Sequence, residues 1–163
     1  MATFNLPRKM TIRAHGQRVV LVHSRRDRPE HTLMKALLWA LYLPDYPDAK
    51  IELRIGDRYK PDVVELDDYG EPVFWAEAGK VGRDKIRSVA RRFRDTHIAI
   101  AKWDARLTPI EAIVSEAVEG LDRTAPFDLI RFPPDSYDRF MGDRGEITVD
   151  HTGLEWLRIG AFS

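Results

Sequence analysis

The chain has 163 residues, of which 44% are hydrophobic and 32% are charged, a composition typical of an ordinary soluble protein with one core. Lysine and arginine together number 26, and so do aspartate and glutamate, so no global basic field attracts nucleic acid. The absence of cysteine excludes disulfides, thiolate metal sites and a cysteine nucleophile. We expect one domain over residues 1–163.

The N-terminal segment and the apolar runs bear on where the protein works. Residues 1–10 contain no apolar signal core. The longest apolar run, residues 36–43, is far shorter than the roughly 20 residues that span a bilayer. We therefore expect a cytoplasmic protein that makes no membrane contact.

A hairpin and a buried helix are predicted first. Residues 10–14 and 18–23 are strand-like and flank a short glycine-containing turn. Residues 29–43 place apolar side chains at helical spacing, begin with a proline and end before Pro44. The width of the apolar face indicates that this helix packs closely against a sheet.

The middle of the chain predicts an antiparallel meander followed by a parallel crossover. Residues 51–55 alternate as a half-buried strand does, and turn residues separate them from strands at 60–66 and 73–80. An arginine-rich helix follows, and the apolar run at 97–103 is a strand buried on both faces. A strand–helix–strand succession places this last strand parallel to the one before the helix.

The C-terminal part completes an α/β fold. Residues 108–121 predict a helix, 127–132 a strand, and 136–141 a short helix. Residues 146–149 and 154–159 predict an additional C-terminal β-hairpin. The whole chain therefore predicts a central mixed β-sheet flanked by helices.

Two acids in the meander are the strongest candidates for chemistry. Asp62 follows a proline at the head of one strand, and Glu77 lies in apolar surroundings within the next. A buried, unpaired carboxylate costs several kcal/mol, so it usually has a partner or a metal. If the two converge, they form a site for Mg²⁺ or Mn²⁺ with water in the remaining positions. The alternatives are a plain strand-entry role for Asp62 and a salt bridge to an arginine for Glu77.

The Pro61-Asp62 pair and the apolar strand with Glu77 resemble the PD-(D/E)XK nuclease superfamily, the restriction-endonuclease-like fold. Within it, the chain is similar to the YaeQ family of small bacterial proteins. The similar segments are the helix opened by Glu30, the FWAEAG run at 74–79, and the basic helix from Lys85. The resemblance implies metal-binding roles for Asp62 and Glu77. It also implies that Glu30 is an extra acid beside the metal; the alternative is a first-turn acid favoured by the helix dipole.

One position departs from the superfamily pattern. The usual lysine two residues after the glutamate is replaced by Gly79. Some branches of the superfamily carry this lysine on the following helix, which implies Lys85 as the candidate. Lys80, adjacent to the glycine, is the second candidate. For Lys85 the alternative is a solvated helix residue.

The resemblance implies metal-dependent hydrolysis of phosphodiester bonds in DNA or RNA. The alternative is an inactive nuclease-fold module that binds nucleic acid or a protein partner in a regulatory role. Nucleic acid would bind through a local arginine-rich patch on the basic helix, unless that helix is simply solvated. The patch consists of Arg83, Arg87, Arg91, Arg92 and Arg94. The five histidines show no metal-ligand spacing, and no role is predicted for them.

Overall fold

Two N-terminal strands form a separate hairpin in the computed structural model, which describes residues 4–160. Strands β1 (Lys9–Ala14) and β2 (Gln17–Val22) pair antiparallel. His15 and Gly16 have φ of 49° and 78°, and a two-residue type I′ turn requires positive φ at both central positions. The predicted hairpin is confirmed.

Helix α1 (Pro29–Tyr42) is buried along most of its length, as its broad apolar face predicts. Its C-terminal end is covered by aromatic side chains, with the ring of Tyr42 4.6 Å from that of Phe74. The helix also buries one charged residue, Lys35, which is only 6% exposed. A buried lysine needs acidic partners, and Lys35 has two, Asp27 and Glu52.

A six-stranded sheet forms the centre of the molecule. Its strands, in spatial as well as chain order, are β3 (Lys50–Ile51), β4 (Val63–Leu66), β5 (Pro72–Ala78), β6 (His97–Trp103), β7 (Phe127–Phe132) and β8 (Glu155–Ile159). Strands β5, β6 and β7 are parallel, and the other neighbours are antiparallel. The predicted mixed sheet and its parallel crossover are confirmed.

Helices cover both faces of this sheet. Helix α1 packs with Phe74, Ala76 and Ala78 on one face. Helices α2 (Arg83–Arg92) and α3 (Thr108–Val118) pack with Trp75 on the other. Because side chains alternate along a strand, Glu77 lies on the same face as Trp75. A short helix α4 (Ser136–Phe140) and a 3₁₀ turn (His151–Gly153) precede β8.

The strand predicted at residues 51–55 is wrong beyond Ile51. Glu52 has a left-handed backbone conformation, with φ of 63°, which ends the strand. Its carboxylate pairs with Lys60 at 2.8 Å and also with Lys35. Residues 51–55 do alternate between apolar and charged side chains, but the left-handed backbone at Glu52 ends the strand before the alternation can be used in the sheet.

The predicted C-terminal hairpin is also wrong in its pairing. Strand β8 pairs with β7, so it is an edge strand of the central sheet. Residues 146–149 instead lie beside the N-terminal hairpin, where the amide of Ile147 donates to the carbonyl of Arg13 at 2.7 Å. Ile147 and Val149 are buried there. The apolar alternation of residues 146–149 therefore reflects packing beside the N-terminal hairpin and not pairing with β8.

Candidate functional site

Asp62, directly before β4, and Glu77, near the end of β5, lie side by side. Val63 pairs with Ala76 in the antiparallel register, which places Asp62 opposite Glu77. The backbone of Asp62 continues this pairing, with its amide donating to the carbonyl of Ala76 at 3.0 Å. The two acids are close enough for the charge of Asp62 to help raise the pKa of Glu77.

Glu77 is a buried acid with few hydrogen-bond donors. Its Oε2 accepts a hydrogen bond from Trp75 Nε1 at 2.8 Å and forms an ion pair with Lys85 Nζ at 2.8 Å. Burial, followed by the charge of Asp62, raises the pKa of Glu77 to about 7, and the bonds from Lys85 and Trp75 offset only part of this. Glu77 therefore titrates near neutral pH.

The two predicted lysines have different surroundings. Lys85, in the first turn of α2, reaches back to Glu77, and its ammonium group lies 5.5 Å from the ring centre of Tyr59. Lys80 is exposed, and within residues 4–160 its side chain makes no hydrogen bond or ion pair. Lys85 is thus the lysine that lies at the pair of acids.

Glu30 and its neighbour His31 occupy the first turn of α1. Glu30 is half-buried, and among the described residues it has no hydrogen bond or ion pair with Asp62 or Glu77. The extra-acid role of Glu30 stays a prediction. His31 lies closer to the site, with Nε2 3.6 Å from Oδ2 of Asp62. This contact with Asp62 raises the pKa of His31 despite partial burial.

Gly79 leaves space that His31 borders. Gly79 has φ of 85°, and a Cβ at this position would lie 3.5 Å from Cδ2 of His31. The imidazole from α1 therefore lies beside the position where the superfamily pattern carries its lysine. Lys102, on the neighbouring strand, donates from Nζ to the carbonyl of Gly79 at 2.7 Å, and this strand end is therefore rich in basic groups.

Lys35 adds a second cation, one turn after His31. It pairs with Glu52, and its Nζ lies 3.7 Å from Asp27. Burial alone would lower the pKa of Lys35, but the hydrogen bond to Glu52 and the charges of nearby acids, Asp62 among them, raise it. The buried lysine is therefore protonated close to Asp62.

His31 and Lys35 were not predicted, although the sequence carries a signal for each. Asp27, His31 and Lys35 follow one another at intervals of four residues, the spacing of one helix face. Lys35 also interrupts an otherwise apolar helix segment, which is unusual for a lysine without a buried partner.

The donor chemistry of the paired acids suits a hard cation. All hydrogen bonds and ion pairs that Asp62 and Glu77 side chains make within residues 4–160 use Oδ2 and Oε2, so Oδ1 and Oε1 remain available. In the same residues no three acidic or histidine side chains are grouped to hold a metal. An ion here would use two carboxylates and complete its shell with water and substrate, which Mg²⁺ tolerates.

Three of the five arginines in the predicted patch, all on α2, are ion-paired. Arg83 and Arg87 lie 3.5 and 3.8 Å from the carboxylate of Glu116. Arg92 lies 2.6 Å from Asp57. These pairs neutralise part of the surface, and the role of the patch in nucleic-acid binding stays a prediction.

Comparison with known proteins bears on the fold. No protein-family model matches the sequence, and no curated protein matches it significantly. Among solved structures, a YaeQ protein from Pseudomonas syringae superposes with a TM-score of 0.62 over 87% of this chain and 80% of its own, at 16% identity. The chain has the YaeQ fold. A YaeQ protein from Xanthomonas axonopodis pv. citri gives a TM-score of 0.58 over 85% and 81% of the two chains, at 15% identity.

The superposition on the first of these proteins covers 87% of the chain and leaves the rest unmatched. At such low identity the likeness shows the fold alone. None of the helices described between residues 4 and 160 has the length and apolar character needed to cross a membrane.

Proposed function

We propose that the chain is a member of the YaeQ family and of the PD-(D/E)XK superfamily, and that it hydrolyses phosphodiester bonds in DNA or RNA with a divalent metal. The observation that carries the proposal is the 2.8 Å contact between Lys85 Nζ and the buried Glu77, beside Asp62. The superfamily pattern needs two acids and one lysine. Gly79 stands where that pattern has its lysine, and Lys85 on α2 would supply the positive charge instead.

The paired acids would hold the metal. Asp62 and Glu77 offer only oxygen, the ligand that Mg²⁺ and Mn²⁺ prefer. When bound, such an ion lowers the pKa of a coordinated water and neutralises charge on the phosphate. A neighbouring cation also favours ionised Glu77, so the raised pKa of this residue suits a site completed by metal.

The basic side chains would bind and orient the phosphate. Lys85 holds Glu77 in place and, on the same side of the sheet, adds positive charge where negative charge develops during hydrolysis. His31 lies on the Asp62 side, and its raised pKa increases the fraction of imidazolium near neutral pH. The imidazolium would donate to a phosphate oxygen beside Gly79.

Nuclease assays with labelled single- and double-stranded DNA and RNA test the proposal. Products should form with Mg²⁺ or Mn²⁺ and disappear with EDTA, and Asp62→Asn and Glu77→Gln should each abolish them. Lys85→Ala should lower the rate roughly 10²–10³-fold, the usual effect of removing one stabilising donor. Lys80→Ala is the matched control and should cleave normally. Cleavage that survives Asp62→Asn, or that depends on Lys80 instead of Lys85, would contradict the proposal.

The alternative is an inactive module that binds nucleic acid or a protein. It is favoured by the ion pair that Lys85 already makes with Glu77 and by the lack of a third acidic or histidine ligand within residues 4–160. Such a module should shift an oligonucleotide in a mobility assay without metal-dependent product. Glu77→Gln should leave this binding unchanged.

A further inference from the structure

A basic groove lies beside the N-terminal hairpin, away from the arginines of α2. It has a volume of about 790 Å³ and is open to solvent. Its walls come from the start of β1, the end of β2 and the loop that leads into α1, and they include Arg8, Lys9, Val22, His23, Arg25 and Arg26. We call this surface the hairpin groove.

The four lysine and arginine side chains of the hairpin groove have no acidic partner. Within residues 4–160, none of Arg8, Lys9, Arg25 and Arg26 takes part in an ion pair, and no acid lines the groove. Arg83 and Arg87 of α2 differ, since both lie beside Glu116. Although the protein has no net charge, the lining of the hairpin groove is therefore positively charged.

The hairpin groove is connected to the candidate site through the start of α1. His23, at the groove, is hydrogen-bonded through Nδ1 to Oγ1 of Thr32 at 2.8 Å. Asp27, in the same loop as Arg25 and Arg26, lies 3.8 Å from His31, which in turn lies 3.6 Å from Asp62. A chain of direct contacts therefore joins the groove to the paired acids.

We infer that the hairpin groove binds the sugar–phosphate backbone of a nucleic acid and guides it to Asp62 and Glu77. The planar guanidinium groups of arginine match phosphate oxygens with two parallel hydrogen bonds. Val22, which is 60% exposed at the groove wall, offers an apolar surface to sugars. The choice of nucleic acid as partner rests on the proposed function, but binding in the groove does not require turnover.

Fluorescence anisotropy with a labelled oligonucleotide in EDTA tests binding without cleavage. The double variant Arg25→Glu, Arg26→Glu should weaken binding at least about 10-fold and reduce the slope of log K against log salt by about 1.5–2. The matched control, Arg106→Glu with Arg144→Glu, makes the same change in charge at exposed arginines outside both the groove and the α2 patch, and it should weaken binding less than about 3-fold. Thermal unfolding checks that both variants are folded.

Equal losses in the two double variants, or unchanged binding in the groove variant, would overturn the assignment. So would wild-type protein that binds no oligonucleotide at low salt, or that binds a polyglutamate peptide instead, which would indicate an acidic protein partner. Wild-type protein that binds through the groove but shows no metal-dependent cleavage would contradict the nuclease proposal and leave the groove assignment intact.

Discussion

Glu77 on β5 and Asp128 on β7 are both buried carboxylates of the central sheet, yet their pKa values shift in opposite directions. Asp128 is 0% exposed and accepts hydrogen bonds from Tyr42 at 2.7 Å and Arg158 at 2.8 Å. It also lies 2.7 Å from Nε2 of His97. Burial would raise the pKa of Asp128, but these three partners outweigh it and lower the pKa to about 2.

Glu77 has fewer partners at a similar depth. Trp75 and Lys85 both bind its Oε2, and burial dominates, so the pKa rises to about 7. The partners of Asp128 therefore more than offset the cost of burying its negative charge, as expected for a structural acid. The partners of Glu77 offset only part of that cost, so a further cation would stabilise its ionised form. Perturbed acids of the second kind are common at functional sites.

Removing the charge of each acid should separate the two roles most clearly. Asp128→Asn leaves Arg158 and His97 without the carboxylate they surround, so we expect a loss of about 3–5 kcal/mol in the free energy of unfolding. Glu77→Gln should cost less than about 1 kcal/mol or stabilise the protein, since it removes a poorly compensated charge. Urea denaturation at pH 7 measures both. Equal losses would show that the two acids have the same structural role.

Glu77 and Asp128 should each make the free energy of unfolding depend on pH, but over different pH ranges. The raised pKa of Glu77 means that between about pH 4.5 and 7 the folded state keeps a proton that the unfolded state releases, so stability falls as pH rises, by about 3 kcal/mol at most. The lowered pKa of Asp128 stabilises the fold above about pH 4, and this contribution disappears as pH falls towards 2.

Denaturation across this pH range, repeated with Glu77→Gln, checks these signs. The variant should lose the decline between pH 4.5 and 7 and keep the decline in acid. A decline above pH 4.5 that persists in Glu77→Gln would assign it to another group and weaken the contrast between the acids.

A smaller effect is expected at the strand end next to Glu77. Gly79→Ala should destabilise the fold by about 1 kcal/mol because φ is 85° there. The added Cβ would meet His31 at an ordinary contact distance of 3.5 Å, so no larger loss is expected. Thermal unfolding measures the change. A loss of several kcal/mol would mean that His31 packs against the glycine more tightly than this distance indicates.

The sequence predicted the elements whose signals are local. The hairpin turn at His15 and Gly16, helix α1, and the parallel crossover from β5 to β6 all follow from short-range patterns. Strand β3 and residues 146–149 were misassigned because their alternation is satisfied by distant partners. Glu52 turns toward Lys35 and Lys60, and Ile147 pairs with Arg13.

The candidate site was partly predictable for the same reason. Asp62 and Glu77 stand out as acids at strand positions, and Lys85 follows from the displaced lysine. Asp128 carries a similar signal, an acid within the apolar strand 127–132. Its partners Tyr42, His97 and Arg158 come from three separate elements. The sequence spacing therefore does not show whether a buried acid has enough hydrogen-bond and ion-pair partners to stay ionised.

The most direct test is the titration of the Glu77 carboxyl group by carbon-13 NMR, with and without Mg²⁺. We predict a pKa of about 7 without metal, a lower pKa in Asp62→Asn because the neighbouring charge is removed, and a lower pKa when Mg²⁺ is added. Asp128 serves as the internal control and should not respond to Mg²⁺. A Glu77 pKa that is ordinary, or that Mg²⁺ leaves unchanged, would contradict the account of this site as a cation-binding pair.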